Sequence, residues 1–118
     1  MAKKLSSKAM KKLETLAEAR RKWDRVRSLV EMLASQKTGQ DMYLSQIKRA
    51  SEDVGRVFMN GGYGPLAGNA NDMALLVRRG GTIQTKLGAM RELVGSVLGG
   101  IERAEKSIMD GEKADLEG

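Results

Sequence analysis

The chain has 118 residues, of which 41% are apolar, 31% charged and 3% aromatic, with a formal net charge of +6; that fits one small domain and leaves too few aromatic residues for an all-β sandwich or barrel. It contains no cysteine and no histidine, which excludes disulfides, thiol nucleophiles, Cys- or His-ligated metals and the usual general base near neutral pH, and with them most enzyme classes. No cofactor and no small-molecule substrate is expected. The longest wholly apolar run, residues 73–77, is far short of the ~20 needed to span a bilayer, and the lysine-rich start lacks the apolar stretch of a secretory signal, so the reading is a soluble cytoplasmic protein.

Residues 1–22 carry Lys3, Lys4, Lys8, Lys11, Lys12, Arg20, Arg21 and Lys22 against Glu14 and Glu18, whereas residues 23–118 hold thirteen basic and thirteen acidic side chains. The whole excess charge therefore lies on the first segment. These eight cations are the candidate nucleic-acid contacts, because a basic helical arm neutralises phosphates and releases counterions without reading sequence. The same arm also suits an anionic membrane surface, an acidic protein, or nothing beyond solubility. No aromatic residue is interleaved with the lysines, which counts against a platform for stacking single-stranded bases.

Over residues 5–59 the positions of an alternating three-four spacing are apolar in twelve of sixteen cases, where composition alone would fill about six or seven. That predicts a first helical arm whose stripe includes Leu5, Leu16, Trp23 and Val30. Residues 37–40 interrupt it, and Thr38 with Asp41 offers a cap, so the arm is either one bent helix or two helices meeting near Gly39; the shared register favours the bent form. Residues 60–71 hold the only proline and four of the fourteen glycines and read as a connecting loop. The glycine spacing there matches neither a P-loop nor a dinucleotide fingerprint.

A second arm is expected over residues 72–110, capped by Asn71 or Asp72, with ten of eleven stripe positions apolar, among them Leu87, Val94 and Ile101. Residues 111–118 read as a polar, frayed tail. Gly81, Gly88 and Gly95 recur every seven residues beside the stripe and predict an edge where another backbone approaches closely, although Gly80-Gly81 and Gly99-Gly100 also fit helix breaks.

The predicted fold is all-α: an elongated, coiled-coil-like antiparallel helical hairpin, or a three-helix arrangement if the first arm breaks near Gly39. Pairing Phe58 with Met73 sets Ile108 opposite Trp23 and leaves residues 1–22 overhanging. A two-helix hairpin buries too little apolar surface to be stable alone, so a homo-oligomer or a helical protein partner is expected, with Leu5, Leu16, Trp23, Val30, Leu87, Val94, Ile101, Gly81, Gly88 and Gly95 at the interface. The function these features favour is a non-enzymatic assembly or adaptor protein. The alternative is a nucleic-acid accessory protein that uses the basic arm on an oligomeric scaffold.

Overall fold

Four helices build the computed structural model: α1 (Ser7–Ser35), α2 (Gln40–Asn60), α3 (Gly64–Arg78) and α4 (Ile83–Glu117). It describes residues 5–117, and the side chains of all of these except 112–117. The molecule is all-α and elongated, 56 Å long and 22 by 18 Å across. Helices α1 and α3 each pack on α2 and α4, while the backbones of the diagonal pairs stay apart among the described residues. The arrangement is thus an antiparallel four-helix ring around one core rather than two long arms.

The predicted stripe is that core. Leu16, Ala19, Trp23, Val26, Val30 and Leu33 from α1 meet Ile47, Val54 and Phe58 from α2, Met73 from α3, and Met90, Val97 and Ile101 from α4, all with no solvent exposure. Burying an aliphatic or aromatic side chain of this kind contributes about 1.5–3 kcal/mol. Trp23 also donates its indole N–H to the Val94 carbonyl at 3.2 Å, so its single polar atom is satisfied inside the bundle.

Both expected arms are broken, each at a glycine in left-handed backbone. Gly39 (φ 73°) separates α1 from α2, Gly62 (φ 84°) separates α2 from α3, and Gly81 (φ 115°) separates α3 from α4. A side chain at any of the three would be strained. The cap expected from Thr38 does not form, because Gly39 itself is the residue before α2 and no side chain caps that helix.

The loop expected over residues 60–71 shrinks to the turn at 61–63. Helix α3 starts at Gly64, with Pro65 in the first turn where its missing N–H is harmless. Asn71 and Asp72 are interior residues of α3 and cap nothing. Helix α4 is instead started by Thr82, whose hydroxyl accepts from the Thr85 amide at 3.2 Å. It continues through Glu117, so residues 111–117 are helical where a frayed tail was expected.

The breaks change the register. Trp23 faces Val94 rather than Ile108, a shift of fourteen residues or about 21 Å of helix. The first turns of α1 therefore lie along the last turns of α4, where Ala9 and Lys12 share a hollow with Ser107, Ile108 and Gly111. Residues 7–22 of the basic segment do not overhang as a free arm, and residues 1–4 lie outside the described residues.

Candidate polyanion-binding face

The residues expected at a partner interface divide into two groups. Leu16, Trp23, Val30, Val94 and Ile101 are consumed by the chain's own core, with Val94 at 7% exposure and the others at zero; Leu5 and Leu87 are half-buried. With four helices closing on one another, most of the stripe is turned inward, and only its margins, such as Leu44, Ile83 and Ile108, remain partly exposed. Gly81 lies in a turn, and Gly88 and Gly95 sit on the exposed side of α4 with nothing within 4 Å of an added Cβ. The expected close approach therefore does not occur along that edge within the chain. Side chains rather than another backbone come close at two other glycines: at Gly100 a Cβ would collide with Leu66, and at Gly55 it would lie 2.5 Å from Asn71 Oδ1.

The cations divide as well. Lys3 and Lys4 lie outside the described residues. Arg20 is taken up by α4, bonding Glu105 at 2.9 Å with Glu102 at 3.9 Å, and Arg21 is exposed. Lys22 bonds Asp53 of α2 at 2.7 Å, which holds the Asp53 carboxyl below its ordinary pKa against a small opposing effect of burial. Lys8, Lys11 and Lys12 are exposed and have no ion-pair partner among residues 5–111, whose side chains are described.

Two open hollows follow the seam between α1 and α2. Lys8, Lys11, Lys12 and Glu18 line the first, under the end of α2 at Asn60 and Gly61. Lys22, Arg25, Arg49, Arg56 and Asp53 line the second. Three cations in one and four in the other make seven, against two carboxylates. Helix geometry explains the alignment. Thr15 meets Gly61 and Lys22 meets Asp53, so Arg56 of α2 stands beside the part of α1 whose α2-facing side offers Thr15 and Glu18 instead of a cation. From Lys8 to Arg25 is seventeen residues, about 26 Å along α1.

Arg25, Arg49 and Arg56 are the contributors that sequence reasoning missed. Summed along the chain, their charge is cancelled by acidic residues that the fold sends elsewhere. Glu31 is held by Arg91 of α4 through two bonds of 2.9 and 3.0 Å, and Glu102 and Glu105 are themselves on α4. The hydrogen bond from Arg91 is the main reason the Glu31 pKa lies below its ordinary value. The available clue was the spacing of Lys22 and Arg25, then Arg49 and Arg56, at helical intervals on the two sides of Gly39.

Lys8, in the first turn of α1, runs against local stability. Ser6 caps the helix by accepting from the Ala9 amide at 3.1 Å. The first turn has no acidic residue and instead carries Lys8, with Lys11 and Lys12 in the next turn. A cation there opposes the helix dipole and costs about 0.3–1 kcal/mol in the first turn.

No protein-family model, curated protein or solved structure gives a significant match to the chain. No helix among the described residues is long and apolar enough to cross a membrane, and no three acidic residues among them gather closely enough to hold a metal ion.

Proposed function

We propose that this chain is a non-enzymatic interaction protein, a four-helix scaffold that engages a polyanionic partner through the seam of α1 and α2. The observation that carries this reading is the line of seven cations against two carboxylates in the two hollows. Lys8 supports it further, since it sits in the first turn of α1, where a stability-driven sequence would place Asp or Glu. Catalysis has little to work with, because the chain lacks histidine and cysteine. Docking through the apolar stripe, the reading the sequence favours, loses its basis once that stripe is spent on the core.

Retention on immobilised heparin tests this reading. The full chain is expected to bind at low salt and to elute later than a Lys8→Gln/Lys11→Gln/Lys12→Gln variant with an unchanged helical circular-dichroism spectrum. A wild-type chain that passes through unretained contradicts it.

A further inference from the structure

Resting on the polyanion reading, we infer that the partner is a nucleic-acid duplex, held by its phosphate backbone without readout of base sequence. The seam excludes the competing polyanions by what it lacks. A protein partner is anchored by apolar or aromatic side chains buried at the centre of the interface, and a membrane surface is held by an apolar helix face inserted among the acyl chains. The only apolar members of the two hollows are Val57 and Ala50, both half-buried against the core. The large exposed apolar side chains, such as Met10, Met32 and Leu75, line neither hollow. A ligand recognised there must gain its affinity from charge alone, and phosphate density makes a duplex the polymer best suited to that.

A double strand is favoured over a single one because no aromatic side chain lines the seam. Trp23 and Phe58 are buried in the core, and Tyr43 and Tyr63 line neither hollow. Unstacked bases would find no ring to stack on, whereas a duplex keeps its bases stacked internally and presents a ridge of phosphates. Cations of α1 and α2 stand on the two sides of the seam and straddle such a ridge. Their reach of about 26 Å along α1 matches seven or eight base pairs at about 3.4 Å each.

Five of these cations, Lys8, Lys11, Lys12, Arg25 and Arg49, have no carboxylate partner among residues 5–111, whose side chains are described. Five phosphate contacts predict a log-log salt slope of about −4.5, a loss of roughly 500-fold in duplex affinity between about 50 and 200 mM salt. Neutralising three of them leaves a slope of about −1.8 and a loss of roughly 12-fold.

The experiment is fluorescence anisotropy of the full chain with two labelled duplexes of unrelated sequence, beside retention on heparin and flotation with phosphatidylserine vesicles. The expected result is equal affinity for the two duplexes, the steep salt dependence, its flattening in the Lys8→Gln/Lys11→Gln/Lys12→Gln variant, and no flotation. Heparin retention without duplex binding at low salt overturns the duplex and leaves the polyanion reading standing; absence of both overturns both. Flotation without duplex binding, or duplex binding that the triple variant leaves intact, also overturns the inference.

Discussion

Lys8 shows how stability and function part at a single residue. It is exposed in the first turn of α1, under an N-terminus that favours negative charge. Lys8→Glu is expected to stabilise the fold by about 0.5–1 kcal/mol, because a charge that opposed the dipole is replaced by one that complements it. Thermal denaturation measures that gain, and heparin retention should fall in the same variant. The glycines of α4 make a second contrast. Gly88 and Gly95 face open space in helical backbone, so Ala at either is expected to add about 0.5–1 kcal/mol by reducing the freedom of the unfolded chain. Gly100 abuts Leu66, which is itself 9% exposed in the core, so Gly100→Ala overpacks the contact between α3 and α4 and is expected to lose about 1 kcal/mol net. Urea denaturation of the three variants reads this ordering directly.

At the scale of elements, the stripe was legible, whereas the turns near Gly39 and Gly81 could be read only as one of two alternatives at each place. Trp23, Val54, Met90 and Ile101 recur at helical spacing and all reach the core, because burial periodicity is imposed by helix geometry whatever the topology. Gly80-Gly81 and Gly99-Gly100 are the same dipeptide with opposite outcomes. The first is followed by Thr82, which caps the next helix; the second lies between Leu98 and Ile101 of the packed stripe and stays helical. Helix α3 was hidden by its own composition, since Gly64, Pro65, Gly68 and Asn69 read as a loop. Packing holds it, with Leu66, Ala67, Ala70, Met73 and Ala74 buried against its neighbours. Of the site, Lys8, Lys11 and Lys12 could be read directly, but the contribution of α2 required knowing that the chain turns back at Gly39.

The helices are also tied across their seams by Lys22 with Asp53 and Arg91 with Glu31. Both carboxylates have pKa values lowered by folding. Their contribution is therefore complete above the unfolded carboxylate values and disappears as pH falls through the lower folded ones. Stability is expected to decline below about pH 4, and Glu31→Gln should make that decline shallower in thermal melts at successive pH values. An acid limb of unchanged slope would mean that the pair is fully screened at the surface.

The whole molecule is electrically lopsided. Helix α1 carries eight basic and four acidic residues, whereas α4 carries five basic and seven acidic ones. A polyanion is thus attracted towards the α1–α2 side before any contact forms, an effect that salt weakens. The proposed binding face needs no movement of the core, because its cations project from helices that Trp23, Phe58 and Ile101 lock together. Backbone amide chemical-shift mapping of the uniformly 15N-labelled chain, titrated with a heparin oligosaccharide, tests that face most directly. Shifts are expected to be confined to the stretches around Lys8–Arg25 and Gln46–Gly61, with the outward side of α3 and α4 around Leu75, Gly88 and Gly95 unmoved. Shifts centred on α3 and α4, or none at saturating ligand, would contradict that placement.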